Sequence, residues 1–178
     1  MRRERDAYHT PVWLAEQIVG EVLGPYLRGT PRVLEPAAGD GVFVRAVRIQ
    51  CPGATITAAE LNELAIPEAD VRVGGDFLTA DLGPHDVVVG NPPFCLAEAF
   101  VRRSLEISPV VCFILRLGFL ASVQRAALYR EHPPSDVWVC PRRPSFTCAA
   151  CDATDYCVAL WSPRWQPSTP ALRWLPLG

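Results

Sequence analysis

The sequence predicts an α/β protein: a doubly wound, mostly parallel sheet of seven strands with one antiparallel closing strand and helices on both faces. Three observations predict it. Apolar runs of strand length alternate with amphipathic stretches of helical period along most of the chain. Those runs, such as Asp86–Val89 after its first residue and Val110–Leu115, are apolar throughout, as in strands covered on both faces. Each is followed by a loop with glycine, an acidic residue or Asn-Pro, at the strand end where such sheets place their ligands.

Taken in order, Thr10-Pro11 is expected to open a helix, with Thr10 capping it and Pro11 in the first turn, where a missing N–H costs nothing. That helix should run to about Leu23 and stop at Gly24-Pro25. Val33-Leu34 is the first strand, Ala37–Gly41 a glycine turn, and Val42–Ile49 the next helix. Thr55–Ala59 is a strand ending in Glu60, with a short helical piece before Pro67. Val71–Val73 is a strand that leads into Gly74-Gly75-Asp76, and Asp86–Val89 one that ends at Gly90-Asn91-Pro92-Pro93-Phe94. Leu96–Ile107 and Ser122–Arg130 read as helices on either side of the strand Val110–Leu115. Val137–Cys140 and Tyr156–Trp161 read as a closing pair of strands.

A length of 178 residues is one domain's worth of core. The expected division is a catalytic domain over 1–161 and a Pro/Trp-rich tail over 162–178, extended over the domain or hanging free, with no separate target-recognition domain. With 49% hydrophobic and 20% charged residues, disordered and fibrous classes are excluded. The run Val110–Leu115 stops at Arg116, too short to cross a bilayer, and no apolar segment follows the charged N-terminus. The reading is a soluble cytoplasmic protein with no membrane partner. All 17 basic residues are Arg, and the net charge is −2, so bulk attraction to a polyanion is excluded. Contact with nucleic acid would fall to clusters such as Arg2-Arg3-Arg5, Arg102-Arg103 and Arg142-Arg143. Cys148 and Cys151 have the spacing of a zinc knuckle but no second pair. The seven Cys are read as free, partly buried thiols, and no metal is expected.

Two constellations carry chemistry. In Glu35-Pro36-Ala37-Ala38-Gly39-Asp40-Gly41, small residues after a strand let a ligand approach the backbone. Only two glycines are present, so this is not the dinucleotide fingerprint, and Glu35 would repel a pyrophosphate while tolerating a cation. Glu60 ends the next strand, placed for ribose hydroxyls, with Leu61 beside it. Asp76-Phe77 follows the third strand, an acceptor for an adenine amino group next to a stacking ring. Acidic residues on three successive strand ends, with no Lys, favour S-adenosylmethionine over NAD or ATP as cofactor.

The second constellation is Asn91-Pro92-Pro93-Phe94. An exocyclic adenine amine is a poor nucleophile because its lone pair is delocalised into the ring. The Asn91 side-chain oxygen and the Pro92 carbonyl can grip its hydrogens and draw the nitrogen toward tetrahedral geometry. Two prolines stiffen the loop so that both acceptors stay aimed, and Phe94 can stack on an extruded base.

With these motifs the chain resembles S-adenosylmethionine-dependent N6-adenine DNA methyltransferases of the small phage type. Tyr8-His9-Thr10-Pro11 is similar to their aromatic-x-Thr-Pro element, Glu35–Phe43 to their glycine loop, and Glu60, Asp76-Phe77 and Asn91–Phe94 to their ribose, adenine and catalytic positions. Leu117–Leu120 and Arg143-Pro144-Ser145-Phe146-Thr147, with Thr154-Asp155-Tyr156, match later segments. The resemblance implies a class I methyltransferase (Rossmann-like) fold and base flipping. It places Tyr8, Thr10, Pro11, Glu35, Ala37, Gly39, Gly41, Glu60, Leu61, Asp76, Phe77 and Asn91 around the cofactor, and Phe94 and Phe146 around the base. Double- or single-stranded DNA is the implied partner. Few residues follow Trp161, so specificity should be short or relaxed, or come from a specificity subunit or a second copy. RNA adenine and protein glutamine methyltransferases share the Asn-Pro-Pro-Phe type of motif, and a cofactor-binding, non-catalytic subunit is the reading from another class.

Overall fold

The computed structural model describes residues 9–62, 66–146, 154–163 and 170–177. The strands in chain order are β1 (Arg32–Glu35), β2 (Thr55–Glu60), β3 (Val71–Gly74), β4 (Val87–Gly90), β5 (Val110–Arg116), β6 (Asp136–Val139), β7 (Tyr156–Trp161) and β8 (Ala171–Trp174). They form one sheet in the order β3-β2-β1-β4-β5-β7-β6-β8. β1 to β5 run parallel, and β7 lies antiparallel between β5 and β6.

Alternation along the strands builds a core on each face. On β5, Cys112 and Ile114 point to one core, and Val111, Phe113 and Leu115 to the other. The first core takes the buried faces of α1 (Val12–Gln17) and α2 (Val42–Gln50), with Leu14, Phe43 and Val47. The second takes α3 (Ala97–Ile107) and α4 (Ala126–Glu131), with Phe100, Val101 and Leu128. Each fully buried Leu or Phe of this kind contributes roughly 1.5–3 kcal/mol of transfer free energy. The expected doubly wound architecture is what forms.

Several details differ from expectation. The sheet has eight strands, because Ala171–Trp174 in the C-terminal segment pairs parallel to β6, Asp136 opposite Ala171 and Val139 opposite Trp174. Leu175 is buried, and Gln17 of α1 donates its side-chain amide to the Pro176 carbonyl at 2.7 Å, which fastens that segment to the first helix. β3 is largely exposed, since it pairs with β2 alone and carries Arg72. Helix α1 continues as a π-helical turn, Ile18–Val22, in which the Leu23 N–H reaches back to the Ile18 carbonyl at 3.1 Å. Short 3₁₀ turns, Phe94–Leu96 and Val123–Arg125, precede α3 and α4. The helical piece expected before Pro67 falls partly outside the described residues. Among those described, no helix is long and apolar enough to cross a membrane.

Candidate active site

β1 and β4 are neighbours, Val33 opposite Val87 and Leu34 opposite Val88, yet the helices that follow them pack on opposite faces. The loops leaving their carboxyl ends therefore diverge, at the kind of switch point where such sheets form a ligand crevice. At its root the loops touch: a methyl group on Gly90 would meet Pro36 Cδ at 3.5 Å.

The loop after β1 is tied down by backbone bonds. Ala38 N–H donates to the Ala59 carbonyl at 3.0 Å, Gly39 N–H to Glu60 Oε2 at 2.9 Å, and Gly41 N–H to the Ala38 carbonyl at 2.7 Å. Gly39 and Gly41 both take left-handed backbone conformations, φ +52° and +77°. Their surroundings differ. A Cβ on Gly41 would lie 2.6 Å from Ile66 Cγ2, whereas one on Gly39 would meet nothing within 4 Å. Gly39 and half-buried Ala37 are thus on the open side of the turn. The other Glu60 oxygen accepts from the Asn62 backbone and side chain at 3.1 and 3.3 Å, and Leu61 beside it is 42% exposed.

Glu35 departs from its expected role. Its side chain is buried under the loop, and Oε2 accepts the Val44 N–H at 3.0 Å, which satisfies an orphan donor in the first turn of α2 that no residue at the helix start caps. Burial pushes its carboxyl well above the usual carboxylate range, with the Val44 N–H opposing. Repulsion of a pyrophosphate by a facing Glu35 charge is corrected accordingly: the carboxyl is a prop inside the fold, and exposed Asp40 is the acid on the loop, 3.6 Å from Arg45 and 3.8 Å from His9.

After β3, Asp76 Oδ1 accepts the Leu78 N–H at 3.1 Å, which shapes the turn. Phe77 is corrected too. Its ring is 2% exposed and packs on Phe100, centroids 4.9 Å apart, so it belongs to the second core and offers no stacking face.

The loop after β4 begins with Asn91. Its Nδ2 donates to Thr10 Oγ1 at 3.1 Å, while Oδ1 is buried and has no hydrogen-bond partner among the described residues. Thr10 does not cap α1, whose N-cap is Pro11 without a side-chain bond; its hydroxyl is used on Asn91 instead. The Pro11 carbonyl accepts the Leu14 and Ala15 N–H groups and starts the helix. Pro92 is buried and Pro93 half-buried, and the Pro93 carbonyl accepts the Leu96 N–H at 2.8 Å as the chain enters its 3₁₀ turn.

Behind Asn91 stands an aromatic cluster. Phe94 lies 6.1 Å from Phe146 at 73° and 5.6 Å from Tyr156, and Phe146 meets Tyr156 edge-on at 4.8 Å. Phe94 and Phe146 are in edge contact and Phe146 is buried, so the two rings form one continuous wall rather than two sides of a slot. A base between parallel rings would need about 7 Å, twice the stacking distance. Tyr156, a strand residue within the Thr154-Asp155-Tyr156 segment of the resemblance, is the ring that joins the other two. Arg116, at the end of β5, places its guanidinium 4.8 Å from the Phe94 centroid. The sequence does not show that these two side chains meet at Phe94, because that depends on β7 pairing with β5, Tyr156 opposite Arg116.

Tyr8, the cluster Arg2-Arg3-Arg5, Cys148 and Cys151 lie outside the described residues. Among the described ones no group of three or more His, Cys, Asp or Glu is placed to hold a metal ion. Cys51, Cys95, Cys112, Cys140 and Cys157 are free, and of these only Cys95 is exposed.

No protein-family model matches the sequence. A curated relative, the release factor glutamine methyltransferase of Bordetella pertussis, is 32% identical over 83 residues, covering 40% of this chain and 31% of its own. Among solved structures, the type I restriction-modification methyltransferase subunit of Streptococcus thermophilus superposes with a TM-score of 0.69 at 16% identity, over 90% of this chain and 46% of its own. A dimethyladenosine transferase from Plasmodium falciparum gives 0.62 at 14% identity, over 86% and 62%. The chain therefore spans under a third of the curated relative and under half of the type I subunit. These likenesses, with the strand order, show the class I methyltransferase fold.

Proposed function

We propose that the protein is an S-adenosylmethionine-dependent methyltransferase acting on the exocyclic amine of adenine in DNA. The observation that carries this reading is Asn91 Oδ1: a buried acceptor without a donor among the described residues, at the carboxyl end of β4, the strand beside the one whose glycine turn leaves Gly39 facing open space. A buried unpaired acceptor costs about 1–3 kcal/mol, which an amino group donated by a substrate would recover.

The residues present fit the cofactor. Ala37 and Gly39 would let it approach the backbone, Glu60 and Asp76 would accept from its ribose and adenine, and Leu61 would cover the adenine face. When bound, S-adenosylmethionine supplies a methyl group whose S–C bond breaks as the N–C bond forms, leaving S-adenosylhomocysteine and a proton. Thr10 accepts from the Asn91 amide nitrogen and so fixes the orientation of the side chain that carries Oδ1. Pro92 and Pro93 keep that acceptor and the Pro92 carbonyl rigid, and Phe94 presents an apolar wall beside them. Target selection would come from short readout or from a partner, a specificity subunit or a second copy.

The local identity to a release factor glutamine methyltransferase favours a second reading, transfer to a glutamine amide, which is also a planar NH₂. Incubation with radiolabelled cofactor and, separately, duplex DNA, single-stranded DNA, RNA and protein decides between them. Label recovered as N6-methyladenine from DNA is the expected result. Label in protein alone, on glutamine, overturns it.

A further inference from the structure

Asn91 accepts from an amino group, but nothing in its corner tells a nucleotide from any other bearer of a planar NH₂. Arg116 is placed to do so. It ends β5, beside β4, is exposed, and places its guanidinium carbon over Phe94, 4.8 Å from the ring centroid. Among the described residues it makes no ion pair. Its two best counterparts are different: Arg125, over Phe119 at 4.3 Å, has Glu98 at 3.9 Å, and Arg173, over Trp138 at 5.4 Å, has Asp136 at 2.8 Å. Arg142 on Trp13 is placed like Arg116, though not on the ring that follows Asn91. Arg116 is thus a cation resting on the wall of the candidate active site that no carboxylate among the described residues pairs with.

We propose, resting on the nucleic-acid reading above, that Arg116 is the residue that makes this a nucleotide site: it yields the face of Phe94 to the base and binds the phosphate of the target nucleotide. A guanidinium and a nucleobase are both flat and compete for the same ring face. The exposed cation–π contact is weak, so leaving it costs little, while a phosphate offers the guanidinium fork a charge-assisted, bidentate partner. In a chain of net charge −2 there is no general positive field, so a cation beside the Asn91 loop that has no ion pair among the described residues has a large share of the attraction.

The test uses the full chain with Arg116→Met, which keeps the apolar stem, Arg116→Lys, and Arg72→Met on the far edge strand as control. The readouts are kcat and KM for duplex DNA across a salt series, cofactor affinity by calorimetry, and thermal unfolding to establish folding. Arg116→Met is expected to raise KM about tenfold, the loss of one charged hydrogen-bonding contact. It should also flatten the log–log salt slope of kcat/KM by about 0.9, one phosphate's worth. Arg116→Lys should restore the slope and only part of KM, and neither variant should change cofactor affinity. If the wild type labels DNA while Arg116→Met keeps its KM and slope, the assignment of Arg116 is overturned and the methyltransferase reading stands. If the wild type labels no nucleic acid, that reading and this one fall together.

Discussion

The two banks of the crevice are held by different forces. The bank formed by β1, β2 and their loops is a closed polar network: Ala38, Gly39 and Gly41 each donate to a fixed acceptor, and Glu35 reaches from below to the first turn of α2. The bank formed by β4, β5 and β7 is built from ring edges, and Asn91 keeps there a buried acceptor without a partner among the described residues. A turn that has to present the same shape to the same ligand gains from satisfying itself. A corner that has to act on a transient substrate gains from withholding one bond until the substrate supplies it. If that contrast is right, damage to the first bank should appear as lost stability or lost cofactor affinity, and damage to the second as lost turnover.

The largest separation is expected from Asn91→Ala. Removing an aimed, preorganised group costs on the order of 10²–10³ in kcat, while cofactor affinity measured by calorimetry should stay unchanged. The melting temperature should hold or rise, because the substitution also removes a buried acceptor with no partner. A variant that melts earlier and binds cofactor poorly would show Asn91 to be part of the scaffold and erase the distinction between the banks.

Gly41 and Gly39 divide the first bank itself. Gly41→Ala should cost about 1–3 kcal/mol in urea unfolding, since a left-handed backbone and a methyl driven into Ile66 act together. Gly39→Ala carries the backbone strain alone, about 1 kcal/mol, but its methyl would enter the open side of the turn. Its main effect should be weaker cofactor binding. Equal losses of affinity in both variants would mean that the open side is not where the ligand lies.

Glu35 gives the next smaller effect, and a signed one. Its folded pKa is raised by burial, so the native state holds the proton more tightly than the unfolded chain does. Stability from this group is present below the ordinary carboxylate pKa and is lost as pH rises from there toward the raised value. Glu35→Gln still offers an oxygen to the Val44 N–H and has no charge to form. It should therefore out-melt the wild type at the alkaline end of that window and lose its advantage at the acid end. A wild type whose stability rises with pH over that interval, relative to Glu35→Gln, would place an ionised carboxylate there.

Much of this was legible in the chain, for identifiable reasons. Strands buried on both faces leave apolar runs, and their sharp loops need glycine or proline, so β1, β4 and β5 and the turns at Gly39 and Asn91 could be read directly. What could not be read depended on distant partners. Thr10 looks like a cap because caps are local, but a donor 81 residues away in sequence, the Asn91 amide, takes its hydroxyl oxygen. Phe77 looks like a stacking ring until Phe100 of α3 closes over it. Trp174 and its neighbours carry Pro on both sides and resemble a tail, yet the exposed edge of β6 gives them a ladder.

The smallest effect concerns thiols, and it bears on how firmly the second bank is closed. Cys112 on β5 has its thiol pushed far up by burial, and Cys140 and Cys157 are both pushed up to about 12 for the same reason. Thiolate is the reactive form, so these groups should be inert while the ring cluster is packed. Cys95, one residue beyond Phe94, is exposed. Brief alkylation at about pH 8 of a Cys148→Ser/Cys151→Ser background, followed by peptide mass spectrometry, should mark Cys95 and spare Cys51, Cys112, Cys140 and Cys157. The added group beside Phe94 should slow transfer modestly and leave cofactor affinity alone. Marking of Cys112 or Cys157 on the same timescale would mean that β5 and β7 part in solution. The rings that follow Asn91 would then be a fluctuating surface rather than a fixed apolar wall.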